Sequence, residues 1–230
     1  MIKLKEDIKE ALKVSVPVMM GYLVLGMAFG MLLESKGYHV GYAFLMSFLI
    51  YAGSMQFVAI DLLSGGAGLI NGAIMSFLIN ARHMVYGLSM LKKFRGMKKY
   101  KLYMIFSLTD ETYSLLIKDH GYHGPNEKRF LFLISFFDQC YWITGSIIGA
   151  LLGEMITINT TGLDFAMTAL FVVIVTEQFL SHHDHRYSYW GFVISIAALL
   201  IFKADAFIIP AMIGIIIVLL VMYRRRQINA

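Results

Sequence analysis

Residues 92–101 read Lys92-Lys93-Phe94-Arg95-Gly96-Met97-Lys98-Lys99-Tyr100-Lys101, six basic residues among ten. Their place between apolar segments decides how the chain is threaded. Cytoplasmic loops of membrane proteins are enriched in Lys and Arg, so this loop is expected on the cytoplasmic side. Upstream lie three apolar segments, about Val14–Leu33, Tyr42–Leu63 and Leu69–Leu91. Downstream lie five, about Leu102–Ile117, Phe130–Leu152, Phe165–Leu180, Tyr189–Phe202 and Phe207–Tyr223. All are candidates to cross a hydrocarbon core ~30 Å thick. The remaining basic clusters, Lys3 to Lys13 and Arg224-Arg225-Arg226, should also be cytoplasmic, which puts both termini on that side. Eight full crossings would leave 92–101 outside. The conflict disappears if one segment before residue 92 and one after it enter the membrane without crossing.

The composition agrees with a polytopic, all-α integral membrane protein in a single domain. Of 230 residues, 58% are hydrophobic and 15% charged, and the mean hydropathy is +0.68, far from a soluble domain. Cys140 is the only cysteine, which excludes an intrachain disulfide. Thirteen of the 20 basic residues sit in the three clusters, so the net charge of +5 records the cytoplasmic face and gives no reason to expect nucleic acid. No cleavable signal peptide is expected, because Met1 to Lys13 alternates in charge. Leu4, Ile8 and Leu12 instead form one apolar stripe, so residues 1–13 are expected to lie in the membrane interface as an amphipathic helix.

A weak duplication runs through the chain. Tyr51-Ala52-Gly53-Ser54-Met55-Gln56-Phe57 in segment two corresponds to Val173-Ile174-Val175-Thr176-Glu177-Gln178-Phe179 in segment six. Gly26 and Gly30 correspond to Gly145 and Gly149, and the offsets lie between 119 and 122 residues. Possible repeats are 14–117 and 130–223. Three crossings and one broken or re-entrant segment in each would invert the second against the first, as in many secondary transporters. Segments two and six are the expected broken ones. Eight full spans with a misplaced loop is the other reading.

Polar groups inside apolar segments are costly and point to function. In segment three, Gly72, Ser76, Asn80, His83 and Gly87 share a helix face, and Arg82 and Tyr86 share another. Arg82 either meets an anion or snorkels to the headgroups. In segment four, Ser107, Asp110, Glu111 and Ser114 have the spacing of one helical face. Adjacent carboxyls in an apolar segment repel and are desolvated, which suits one of them to proton exchange near neutral pH. They can also pair with Arg82 or cap a helix end. Segment five carries Asp138-Gln139 on a face with Tyr141, Trp142, Gly145 and Gly149. Glu177 is either a deep proton carrier or interfacial. Ser181-His182-His183-Asp184-His185-Arg186 holds imidazole and carboxylate but no second ligand motif, so it reads as a solvated loop and no metal site is expected.

Four of these stretches, in order, resemble the signature segments of the AzlC family: Ala52-Gly53-Ser54-Met55-Gln56-Phe57, Asn80-Ala81-Arg82-His83-Met84-Val85-Tyr86-Gly87-Leu88-Ser89, Thr109-Asp110-Glu111-Thr112 and Leu163-Asp164-Phe165-Ala166-Met167-Thr168-Ala169-Leu170-Phe171. The resemblance spans about residues 10 to 223. Ala81 departs from it, standing where leucine is more familiar, and faces away from the Asn80 stripe. The resemblance implies export of branched-chain or other apolar amino acids across the bacterial inner membrane, with a small AzlD-type membrane subunit as partner. No P-loop pattern occurs, so an ion gradient is the expected energy source and no cofactor is expected. On this reading Gly53, Ser54, Gln56, Asn80 and His83 bind substrate, Asp110, Glu111 and Glu177 couple protons, and Arg82 and Asp138 are structural polar residues. Rival readings are an intramembrane protease using Ser54 and His83, and a passive amino-acid channel; no enzymatic activity is expected otherwise.

Overall fold

A computed structural model describes residues 2–66, 68–118, 120–122, 126–155, 165, 168–169, 172, 175–176, 179–180 and 185–228. Among these, the helices are α1 (Ile2–Ser35), α2 (Val40–Leu49), α3 (Gly53–Ser64), α4 (Leu69–Met90), α5 (Lys101–Phe106), α6 (Asp110–Ile117), α7 (Glu127–Met155), α8 (Arg186–Ala206) and α9 (Ile208–Ile228). Two stretches, Leu4–Ser35 and Glu127–Met155, are long and apolar enough to cross a membrane by length and composition. The chain divides into two compact units, Met1–Ala73 with His83–Met167, and Ile74–Arg82 with Thr168–Ala230.

The first unit is built on α1 and α7. Their glycines make the close approach: a Cβ on Gly26 would stand 2.9 Å from the Trp142 carbonyl oxygen, and one on Gly145 2.8 Å from that of Leu23. Gly30 and Gly149 approach the opposite backbone closer still. The two glycine pairs matched by the duplication therefore face each other, a small-residue contact of the kind that drives helix association in lipid. Residues 2–13 are the first turns of α1, which runs unbroken for 34 residues, about 51 Å. The stripe there faces outward, with Leu4 and Leu12 exposed and Asp7 and Ala11 buried.

One end of this unit can be followed through its polar links. Asp7 of α1 pairs with Arg129 and accepts from Tyr122. Burial and the bond to Asp7 push the Tyr122 phenol up to about 12. Lys128 donates to the Gly96 carbonyl at 2.9 Å, and Lys93 at the end of α4 donates to Leu116 at the end of α6. The first turns of α1, the 92–101 loop, Tyr122 and the start of α7 thus share one end. Buried around them are Ala11, Met90, Phe94, Met97, Met104, Leu116 and Phe130.

This arrangement corrects the single helix expected for Leu102–Ile117. The segment is two short helices, α5 and α6, interrupted at Ser107-Leu108-Thr109, and it starts and finishes at that shared end. Ser107 therefore does not lie on one helical face with Asp110, Glu111 and Ser114. Thr109 caps α6, its side chain accepting from the Thr112 N–H, with Asp110 and Glu111 in the first turn where the helix dipole favours anions.

Segment two is broken as expected, between α2 and α3. Tyr51 ends α2 in the left-handed region at φ 43°, which β-carbon sterics make costly for a residue other than glycine. The hairpin enters from the opposite end: the Tyr38 N–H donates to the Leu33 carbonyl, Tyr51 reaches the level of Tyr22, and Phe57 returns to Phe29, with Val40 and Ile60 in the same apolar cluster as Leu33. The first half thus has two broken segments, two and four, where one was expected. Glu177 and about half of segment six, together with residues 181–184, lie outside the described residues.

Polarity in the first unit is inverted relative to a soluble core. Met20, Val24, Leu49 and Leu102 are exposed, while Ser47, Gln56, Thr112, Asp138 and Ser146 are fully buried. In the second unit, Asn80 donates to Ser76 at 3.5 Å along the expected polar face. Helices α8 and α9 pack together, and α8 breaks at Lys203.

Candidate functional site

The tips of the two hairpins meet beside α1 and α7. Tyr51 at the first tip contacts Phe106 at the second, ring centroids 6.3 Å apart, and Tyr22 of α1 stands edge-on to Tyr51 at 6.4 Å. Trp142 of α7 lies edge-on to Tyr22 at 5.3 Å. A Cβ on Gly53 would meet the Trp142 ring at 3.1 Å, so glycine here lets the indole cover the start of α3.

Two glutamine amides brace the tips. Gln56 accepts from the Trp142 indole N–H at 2.9 Å and donates to Ser47 at 3.2 Å. Ser47 in turn donates to Ser146 at 2.8 Å. Gln139 donates to the Phe48 carbonyl at 3.1 Å and accepts from Tyr103 at 2.6 Å, which joins α7 to both hairpins. Both ends of the Gln56 amide are used inside the protein, so the residue expected to bind substrate also holds α3 against α2 and α7.

A second set of bonds runs through hydroxyls. Tyr22 donates to Glu111 Oε2 at 2.8 Å and lies 2.5 Å from Thr109 Oγ1. Thr109 is 3.0 Å from Thr112 Oγ1, which reaches Asp138 Oδ2 at 2.9 Å. Asp138 and Glu111 are thereby ends of one chain. Asp138 is completely buried, and its other oxygen, Oδ1, has no hydrogen-bond partner among the described residues. The same holds for the Tyr51 and Ser107 hydroxyls. Leaving such groups unmatched costs about 1–3 kcal/mol each, and all three belong to the tips or the helix behind them.

The expected site residues therefore separate. Gly53, Gln56, Glu111 and Asp138 come together here, with Ser54 and Asp110 beside them in the first turns of α3 and α6. His83 stands edge-on to Tyr86 at 5.8 Å, and Tyr86 stacks on Tyr113 of α6 at 4.6 Å. Asn80 and Arg82 belong to the second unit. The sequence reading puts Trp142 on the Asp138 face but gives no site role to Tyr22, Tyr51, Thr112, Tyr103 or Trp142. Tyrosine and tryptophan are common in apolar segments, but Thr109-Asp110-Glu111-Thr112 carries a helix-start signature that reveals the second break. Among the described residues no group of His, Cys, Asp and Glu could hold a metal ion.

Two hairpins directed from opposite ends onto a buried polar cluster, in a unit whose exposed side chains are largely apolar, are the features of an all-helical membrane protein. A family described as AzlC protein matches residues 17–156. The branched-chain amino acid transport protein AzlC of Bacillus subtilis strain 168 is 40% identical over 214 residues, 93% of this chain and 84% of that protein. A membrane protein of Helicobacter pylori strain 26695 is 41% identical, covering 96% of both chains. The inner membrane protein YgaZ of Escherichia coli K12 is 27% identical over 74% of this chain and 72% of its own. The chain belongs to the AzlC family. No solved structure matches it.

Proposed function

We propose that this protein is a secondary transporter that exports branched-chain or other apolar amino acids across the bacterial inner membrane, driven by protons and working with a small AzlD-type membrane subunit. The observation that carries the reading is the meeting of two oppositely directed hairpin tips on a buried carboxylate. Broken segments at mid-depth free backbone and side-chain polar groups for a ligand and can open to one side at a time. Asp138 offers a counter-charge to the substrate ammonium, and the Tyr51 and Ser107 hydroxyls offer further polar contacts. The Tyr22, Trp142 and Phe57 rings give an apolar wall. The relative named for branched-chain amino acid transport supports the substrate class. On this reading the end bearing Asp7 and the 92–101 loop is cytoplasmic, since the N-terminal basic cluster and the 92–101 cluster gather there.

Purified protein in proteoliposomes, with and without the small subunit, is expected to exchange radiolabelled leucine in counterflow and to move it against a gradient when a pH difference is imposed. Leucine flux that never exceeds equilibration under any imposed gradient would point to a channel. No leucine flux even with the partner present would refute the transport reading. Reporter fusions after residue 97 and at the C-terminus should read cytoplasmic, and one within residues 65–68 periplasmic.

A further inference from the structure

The chain Glu111–Tyr22–Thr109–Thr112–Asp138 contains four oxygen-to-oxygen links. Each link needs one hydrogen. Its three hydroxyls supply three, because a hydroxyl donates once. With both carboxylates ionised, one link has no hydrogen and two oxygens face each other bare. The set is complete when one carboxyl carries a fourth proton, and either carboxyl can carry it. A proton on Glu111 gives donation running from Glu111 to Asp138; a proton on Asp138 gives the reverse run. Thr109 Oγ1 also accepts the Thr112 N–H at 3.3 Å, and it has the second lone pair to do so in either direction.

We propose that Glu111 and Asp138 share a single proton across the Tyr22, Thr109 and Thr112 hydroxyls, and that an amine arriving at Asp138 sends the proton to Glu111. When Asp138 gives up its proton, Thr112 takes it and passes its own to Thr109, Thr109 passes one to Tyr22, and Tyr22 passes one to Glu111. Four O–H bonds break, four form, and the chain keeps its net charge of one negative unit. Among the described residues, the titratable groups around it include Tyr51 from the first tip, Tyr103 from α5, Tyr141 and Cys140 on α7, and Asp110 next to Glu111 in the sequence. Glu111 is half-buried and Asp138 fully so, so the relay carries a proton between an accessible group and one that only ligand reaches. This deepens the proton-coupled reading above and rests on it for the arriving amine. The sharing itself rests on the hydrogen count.

Infrared spectroscopy of the purified full-length protein at neutral pH tests the sharing without transport. Wild type should show one protonated-carboxyl band relative to the Glu111→Gln/Asp138→Asn double variant. Either single variant should lose that band completely, since the new amide supplies the missing hydrogen and leaves the remaining carboxyl ionised. A band that survives in either single variant, or a wild type identical to the double variant, would overturn the proposal. Wild type alone gives a second readout: added leucine should shift the band from an aspartic to a glutamic position, and a leucine-bound protein with an unmoved band contradicts the relay. In proteoliposomes, Thr112→Val should lose at least tenfold of pH-gradient-driven leucine efflux, and Thr112→Ser should retain it. Equal efflux in Thr112→Val and wild type, or equal loss in both variants, sinks the relay. Absence of leucine counterflow in wild type refutes the transport reading instead, and leaves the ligand-free infrared comparison standing.

Discussion

The two hairpins reach the same depth from opposite ends, yet their tips are made of different chemistry. The α2–α3 tip is neutral. It turns through a left-handed Tyr51, starts α3 at Ala52 without a side-chain cap, and is held by the Gln56 amide and the Trp142 ring. The α5–α6 tip is capped by Thr109 and carries Asp110 and Glu111 in the first turn of α6, and its Thr112 grips Asp138. One tip is fixed by neutral donors and acceptors whose protonation does not change. The other carries Thr109, Asp110, Glu111 and Thr112, the groups that exchange protons under the proposed function. A transporter of the proposed kind needs both, a shaped wall and a titrating element, and the two tips that α1 and α7 bring together divide these parts between them.

The largest change should come from the scaffold common to both tips. Gly149→Val would drive a side chain into the Met27 backbone, which cannot move aside as a flexible side chain could. Overpacking of this kind costs about 1–3 kcal/mol or more, so membrane levels and the thermal transition in detergent should fall sharply. A variant as stable as wild type would mean that the α1–α7 contact is looser than described. Gln56→Leu comes next and strikes the first tip alone. It leaves the Trp142 N–H without this partner while Ser47 keeps its bond to Ser146, at about 1–2 kcal/mol. Thermal unfolding reads the loss, and the protonated-carboxyl band of the second tip should remain. Loss of that band would show that the two tips are not separable.

Tyr51→Phe is smaller and more selective. It removes a buried hydroxyl without a hydrogen-bond partner among the described residues and keeps the ring, so stability should rise by about 1 kcal/mol. Leucine affinity in counterflow should nevertheless weaken severalfold; unchanged affinity would remove this hydroxyl from the site. The smallest effect lies below the second hairpin. Tyr122 holds its proton up to about 12 in the folded protein, above the ordinary tyrosine value of about 10. A group raised in this way stabilises fully below the unfolded value and loses its contribution as pH rises through the folded one. Wild type should therefore lose stability between about pH 10 and 12, and Tyr122→Phe should show a shallower decline there. Equal slopes would remove Tyr122 from the link between α1 and α7.

Much of this layout is legible in the sequence. The apolar segments, the matched glycine pairs and the break before Gly53 all appear there, because periodicity, small residues and a charge-imposed topology are local signals. The basic loop at 92–101 calls for a non-crossing segment on each side, and the described helices include one broken segment on each side. The later one is segment four, which spacing alone portrayed as a continuous helix because Ser107-Leu108-Thr109 holds neither glycine nor proline. The hydroxyl chain was not legible. Tyr22 and Asp138 are 116 residues apart, and only tertiary packing brings them to Thr109 and Thr112.

The most direct test of the meeting tips as the transport site uses Ser107→Cys in a background with Cys140 replaced by Ser. A membrane-permeant thiol reagent should modify this cysteine, and leucine should slow the reaction severalfold while a cysteine at Ser64, at the far end of α3, reacts at an unchanged rate. If the protein exchanges leucine but leucine leaves the Ser107→Cys rate untouched, the substrate passes elsewhere and the hairpin tips are not its site.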